Sequence, residues 1–260
     1  PSVREDRDRR ARSFGAIAAD YDRYRPPPPA AALDWLLPAT ARRVLDVGAG
    51  TGALTRLLTG RVDEVVAVEP DRRMVEVLAA RTPGAGVIVG AAEALPLGPG
   101  TVDAVLVASA WHWMDPGRAV AEFARVLAPG GVMGLLWNGA DRTVPWLAEL
   151  LGRSGRRRRA FATPGATDHR EAVEFPVGSP FGRPRRRAIA WSMPVPRADL
   201  IGLAGTYSSV ITLPDDERRA LLARVERLVD EHPDLAGQPV VDLPMTCRMW
   251  RVVRRRTGHA

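Results

Sequence analysis

The sequence predicts an α/β fold built on a doubly wound parallel sheet, and three observations carry that prediction. Short apolar runs alternate with segments of helical periodicity from Arg43 to Trp137, the pattern of βαβ units with right-handed crossovers. The first of those runs breaks into Gly48, Gly50 and Gly52 and passes at once into a helix-like segment. At 260 residues, the chain is long enough to bury one such core and to carry added segments.

Each element follows from local pattern. Pro1 to Arg12 is charged and poor in apolar residues, the composition of a disordered or frayed tail. Phe14, Ile17, Ala18 and Tyr21 recur at helical spacing, and that helix must stop before Pro26 to Pro29, a stiff extended joint. Ala30 to Leu37 reads as a second helix. Strand one is Arg43 to Val47, followed by a helix over Gly52 to Thr59. Strand two is Glu64 to Val68, followed by a helix over Asp71 to Arg81 with Asp71 as its N-cap. Strands three and four are Gly86 to Val89 and Val102 to Ala108. Asp115-Pro116 opens a helix that runs to Leu127, and Gly131 to Trp137 is strand five.

Beyond Asn138 the alternation stops. Asp141 to Leu151 reads as a helix, Arg153 to Arg159 carries four consecutive arginines, and Thr163 to Pro184 is polar, proline-rich and irregular, as in a lid or insertion. Arg185 to Met193 alternates as an edge strand, Arg197 to Tyr207 and Pro214 to Glu231 are amphipathic helices, and Val240 to Val253 supplies the last strand. No internal repeat is visible.

The glycine turn is the segment with chemistry in it. Glycine there permits positive φ and brings a ligand within contact of the main chain, while the helix that follows leaves free N–H groups facing the site. Glu69 ends the second apolar run, where a carboxylate can take both hydroxyls of a ribose. A dinucleotide fingerprint wants Gly-x-Gly-x-x-Gly with an acid roughly 20 residues on; here Ala53 stands at the third glycine, and Asp46 sits two residues before Gly48. An ionised carboxylate repels a pyrophosphate and attracts an ammonium. The expected ligand is a nucleoside cofactor with a cation and few phosphates.

Val44 to Gly52, Glu69, the run Ala91-Ala92-Glu93-Ala94-Leu95-Pro96 and Trp111-His112-Trp113 together resemble the class I S-adenosylmethionine-dependent methyltransferases, within them the small-molecule group that includes trans-aconitate-type carboxyl methyltransferases. The likeness is dense from about Phe14 to Asn138 and thinner from Trp191 to Val253. It implies a Rossmann-like, mostly parallel seven-stranded sheet with an antiparallel last strand. The implied organisation is an N-terminal helical cover over residues 1–40, a cofactor core over 41–138, a lid over 139–184, and a completion of the sheet with substrate-side helices over 185–260.

The implied cofactor is S-adenosyl-L-methionine, leaving as S-adenosyl-L-homocysteine. Asp46, Gly48, Ala49 and Gly50 should hold its methionine part and Glu69 its ribose. Ala92 and Glu93 should meet the adenine, and Ala108 lies at the end of the adjoining strand. Met74 either packs on the adenine or fills the core. Tyr21 and Arg25 stand in a segment that resembles the family's cofactor cover, where Arg25 can pair with the methionine carboxylate and Tyr21 can close over it. His112 is either a general base or an orienting, packing residue between two indoles. Trp111 and Trp113 should wall the acceptor pocket, Trp137 and Asn138 end strand five beside it, and Tyr207, Ser208 and Ser209 are similar to a substrate-side segment of the family. The expected reaction is O-methylation of a carboxylate or hydroxyl, in the setting of natural-product biosynthesis; the alternatives are transfer to nitrogen, to carbon or to a macromolecule, and a chain that binds the cofactor without transferring its methyl group.

Composition narrows the alternatives. The formal charge is +7, yet the chain contains no lysine and all 37 basic residues are arginine, the mark of a high-GC coding sequence rather than of a nucleic-acid surface. The place after strand four reads Ala108-Ser109-Ala110-Trp111, without the Asn/Asp-Pro-Pro-aromatic turn of base-methylating relatives, so no nucleic-acid partner is expected. Cys247 is the sole cysteine, and His112, His169, His232 and His259 are scattered, so neither a disulfide nor a metal is expected. No run of about eighteen apolar residues and no leader pattern is seen; a cytoplasmic monomer or homodimer without membrane contact is the expectation.

Overall fold

The computed structural model describes residues 13–151 and 178–256. The tail Pro1 to Arg12, the arginine run 153–159 and the irregular stretch 163–177 lie outside the described residues.

A 3-10 turn over Phe14–Ile17 leads into α1 (Ala18–Tyr24) and α2 (Ala30–Leu36). The alternating part follows as β1 (Arg43–Val47), α3 (Ala53–Leu58), β2 (Glu64–Glu69), α4 (Arg72–Arg81), β3 (Gly86–Val89), β4 (Val102–Ala108), α5 (Pro116–Val126) and β5 (Leu127–Ala140). Next come α6 (Pro145–Leu150), β6 (Arg185–Pro196), α7 (Asp199–Gly205), α8 (Ser208–Ile211), α9 (Asp215–Glu231) and β7 (Val240–Val253). The seven strands form one sheet in the order β3-β2-β1-β4-β5-β7-β6, and β1 pairs in parallel with both β2 and β4. The pairings β2 with β3 and β4 with β5 are also parallel. Chain order reverses at β1 and β4, which is where an open α/β sheet leaves a crevice at its strand ends.

The chain divides into two compact units. One consists of Pro26–Asn138 with 178–189 and 247–256. Its core is the sheet centre: Leu45, Val47, Val66, Val68, Val105, Val107, Met133 and Leu135 are buried, with Phe123 of α5 fully enclosed against them. Strands covered on both faces need continuous apolar runs rather than alternation, which is what Val-Leu and Val-Val-Ala-Val provide. The other unit consists of the described parts of 13–25, 139–151 and 190–246. Its core gathers Trp146, Leu147 and Leu150 of α6 with Leu200 and Leu203 of α7, Val225 and Val229 of α9, and Leu243. A Cβ on Gly202 would lie 2.5 Å from the Tyr24 ring, so α1 packs on α7 because that residue has no side chain.

Element boundaries differ from the sequence expectation where local hydrogen bonds intervene. The helix expected from Asp141 begins at Pro145, because the Asp141 carboxylate accepts from Thr143 N and Oγ1 and closes a turn of its own. The helix expected from Arg197 begins at Asp199: Arg197 N donates to Pro239 O, and its guanidinium to Asp230 and the Val229 carbonyl. Strand five is longer than Gly131 to Trp137, since the chain passes from α5 directly into extended backbone at Leu127. Asp71 caps α4 as expected, accepting from Arg73 N at 3.0 Å.

Candidate functional site

The glycine turn between β1 and α3 has left-handed backbone at all three glycines, with φ of 68° at Gly48, 58° at Gly50 and 91° at Gly52. Gly48 N and Ala49 N both donate to the Val68 carbonyl at 2.8 and 3.2 Å, which fastens the turn to the end of β2. The three glycines do different work. A Cβ on Gly48 would lie 2.6 Å from the Ala110 Cβ, and one on Gly52 would lie 2.6 Å from Leu78, so both are packing requirements. At Gly50 a Cβ would meet nothing within 4 Å. That face of the turn is an open cradle.

Two acids converge on the cradle. Glu69 is 8% exposed; its Oε2 accepts from Gly50 N at 2.9 Å and its Oε1 from Asp71 N at 3.0 Å. Burial raises its pKa above the ordinary glutamate value, against the opposing pull of those two amides. Asp46 is wholly buried at the end of β1. Its Oδ2 accepts from Thr55 Oγ1 of α3 at 2.7 Å, and its Oδ1 has no hydrogen-bond partner. Burial, reinforced by the nearby Glu69, pushes its pKa from 3.8 to about 7, with the Thr55 bond pulling the other way. A buried carboxylate oxygen left unpaired is costly, and a bound donor or cation relieves that cost.

The loop after β3 carries Ala92 and Glu93, and Met74 lies on α4. Ala92 and Met74 are buried, and Glu93 Oε1 accepts from Asp115 N at 2.7 Å, so this carboxylate ties its loop to the start of α5. A clamp on α5 that the sequence reading missed holds the same loop. Glu122 Oε2 accepts from Leu95 N, while Arg125 donates to the carbonyls of Leu95 and Leu97 and to Glu122 itself. Its one sequence signal is a Glu and an Arg three apart on a helix, which marks any exposed helical pair equally well.

At the end of β4, Ala108 leads into Ser109, whose φ of 54° makes it the one described non-glycine residue in left-handed backbone. Trp111–Trp113 then form a 3-10 turn. Trp111 is buried and packs on Phe123 with ring centres 6.2 Å apart; it belongs to the core rather than standing free as a wall. His112 lies against Trp113 at 4.4 Å, and its Nδ1 accepts from Trp137 Nε1 at 3.4 Å. Trp137 in turn meets Trp250 edge-on at 5.1 Å, a partner that the sequence reading did not single out. Asn138 Nδ2 donates to the carbonyls of Pro26 and Pro27 at 3.2 and 2.9 Å, anchoring the proline joint.

The remaining expected residues lie in the other unit and are gathered there. Arg25 stacks over the rings of Tyr21 and Tyr207 at 5.3 and 4.2 Å and donates to the Thr206 carbonyl at 3.0 Å. Tyr21 also meets Phe14 edge-on at 5.3 Å. Ser208 opens α8, where its carbonyl accepts from Thr212 Oγ1 at 2.8 Å. Among the described residues no group of His, Cys, Asp and Glu could hold a metal, and no described helix is long and apolar enough to cross a membrane.

An open α/β sheet binds ligands at its switch point, and the two buried carboxylates beside this glycine cradle suit a cationic group better than a phosphate. Comparison with known proteins carries this further. Residues 45–135 match the model of a methyltransferase domain. An uncharacterized methyltransferase of Mycobacterium tuberculosis is 44% identical over 235 residues, covering 89% of this chain and 91% of that protein. A methyltransferase-like protein of Schizosaccharomyces pombe is 33% identical over 89% of this chain and 91% of its own length. A solved structure assigned as a type II methyltransferase of Anaeromyxobacter dehalogenans superposes with a TM-score of 0.62 at 26% identity, covering 91% of this chain and all of that one. The chain belongs to the class I S-adenosylmethionine-dependent methyltransferases. Its residues fit that cofactor: an unpaired Asp46 oxygen for a cationic ligand, an open glycine face, and, among the described residues, no basic side chain hydrogen-bonded to either acid.

Proposed function

We propose that this methyltransferase modifies a small acid at oxygen, converting a carboxylate into its methyl ester. When bound, S-adenosylmethionine supplies a methyl group on cationic sulfur; the new O–C bond forms as the C–S bond breaks, its electron pair stays on sulfur, and S-adenosylhomocysteine remains. The chain's own residues bind and align. The glycine turn with Asp46 takes the methionine end, Glu69 the ribose hydroxyls, and Ala92, Glu93 and Met74 the adenine edge and face. Holding nucleophile and methyl in line supplies up to roughly 7–11 kcal/mol of barrier reduction.

The observation that supports a small acceptor is the turn after β4, where His112 lies against Trp113 and is held by Trp137; an indole face offers apolar area beside a polar N–H. Oxygen as the acceptor atom, though not a free acid, draws support from a malonyl-[acyl-carrier protein] O-methyltransferase of Methylococcus capsulatus, 36% identical over 46% of this chain and 47% of that protein. A natural-product scaffold as the setting rests on the family resemblance alone. The test is transfer of labelled methyl from S-adenosylmethionine into separated small-molecule and macromolecular fractions of a cell extract. Label in the small-molecule fraction is expected; label confined to macromolecules would sink the proposal.

A further inference from the structure

The outer margin of the sheet carries charge that the cofactor site does not use. β7 lies between β5 and β6 in the strand order, and β6 closes that side of the sheet. Arg251 stands on β7, and its Nε is buried with no hydrogen-bond partner. Burial lowers its pKa from the ordinary arginine value, and Arg185 of β6 lowers it further. Side chains alternate between the two faces of a strand. Arg186 lies over the Trp250 ring at 5.3 Å, so Arg185 and Arg251, one step along from each, share the opposite face. No ion pair among the described residues engages either of them. Cations on an edge strand discourage pairing with other chains, a reason that covers Arg187 on β6. It does not cover Arg251, whose strand is paired on both sides. A buried N–H without an acceptor is costly, and a second cation beside it adds to the cost.

We propose that Arg251 and Arg185 form a binding site for a phosphoryl group, separate from the glycine cradle. Two guanidinium groups that repel one another call for an anion that neutralises both. A phosphate monoester carries close to two negative charges at neutral pH, where a carboxylate carries one. Its oxygens accept from several N–H donors at once, the match that suits arginine to phosphate. A bound phosphate gives the buried Nε its acceptor and turns mutual repulsion into attraction for a shared partner. The cradle has the opposite character, with two buried acids. At a strand spacing of about 4.8 Å, β7 and β6 lie about 14 and 19 Å to the side of β1, so the two sites do not overlap. Arg185 is exposed, which leaves the group accessible on a soluble molecule and on a lipid headgroup alike.

The test is titration calorimetry of the full chain with inorganic phosphate, at constant ionic strength held with chloride. Saturable binding is expected, weakened at least about tenfold in both Arg185→Gln and Arg251→Gln, the effect of losing a charge-assisted hydrogen bond. Arg255→Gln, which alters an exposed arginine beyond the end of β7, should leave the affinity unchanged. No saturable binding, or equal affinity in every chain because phosphate sits on other arginines, would overturn the proposal. Thermal melts give a second reading that does not depend on Arg251→Gln folding. In chloride the midpoint of Arg185→Gln should equal or exceed the parent's, since repulsion is relieved, and phosphate should raise the parent's midpoint more than the variant's. A variant midpoint below the parent's in chloride would show that this guanidinium already has a partner in the chain, and would also overturn the proposal. S-adenosylmethionine affinity should be the same in all chains; a fall in both Arg185→Gln and Arg251→Gln would refute the separateness of the site. Vesicles of phosphatidic acid in phosphatidylcholine distinguish the sources. Cosedimentation lost in Arg185→Gln identifies a headgroup, and phosphate binding without cosedimentation identifies a soluble ligand.

Discussion

At the scale of single residues, the buried carboxylates make stability depend on pH, and the binding roles proposed for them are open to the same kind of test. The folded-state pKa of Asp46, about 7, lies above the unfolded value of about 3.9. Between those limits the folded, ligand-free chain holds a proton that the unfolded chain has released, so this group's contribution to stability declines as pH rises toward about 7. Asp46→Asn should therefore raise the thermal midpoint relative to the parent chain, by a margin of several degrees that grows between about pH 5 and pH 8. Scanning calorimetry at both pH values checks this. Binding should move oppositely: a cationic ligand favours the ionised acid, so affinity for S-adenosylmethionine should rise through the same window, and Asp46→Asn should flatten the rise. Glu69→Ala should weaken S-adenosylmethionine binding at least about tenfold, the effect of losing a charge-assisted hydrogen bond of roughly 1.5–3 kcal/mol. Unchanged affinity in a titration would remove Glu69 from the ribose.

At the scale of elements, the glycine turn separates folding from binding. Gly48 combines positive φ with a 2.6 Å approach to Ala110. Gly48→Ala should therefore cost more than the roughly 1–2 kcal/mol of left-handed backbone alone. Gly50 has the same backbone but open space around it, so Gly50→Ala should cost only about that backbone penalty while its methyl group intrudes on the cradle and weakens cofactor binding. Denaturant melts and titrations of the two variants should thus diverge. The βα half was legible because buried parallel strands leave unbroken apolar runs and because positive φ selects glycine. The geometry around His112 was not: Trp137 and Trp250 are 113 residues apart in the chain, and nothing in either's neighbourhood announces that they meet. Thr55 was equally silent, since a threonine on a helix is ordinary until a buried acid is found facing it. Asp141 and Arg197 misled for the opposite reason, as polar side chains that capture backbone or acids override helical periodicity.

At the scale of the whole molecule, sequence and structure agree on the class of chemistry through different signals. The acid before the glycine turn separated a cationic ligand from a pyrophosphate on charge alone, and the unpaired Asp46 oxygen supports the same distinction. The ends of β4 and β5 are held by Trp137 on His112 and by Asn138 on the proline joint. No periodicity encodes such contacts. The atom that receives the methyl group separates an ester from every other product. The most direct measurement is mass spectrometry of the labelled small-molecule product before and after mild base. Release of the label with recovery of the parent acid is the predicted result, because a methyl ester hydrolyses there. A label that survives base, placing the methyl group on a phenol, an amine or carbon, would contradict it.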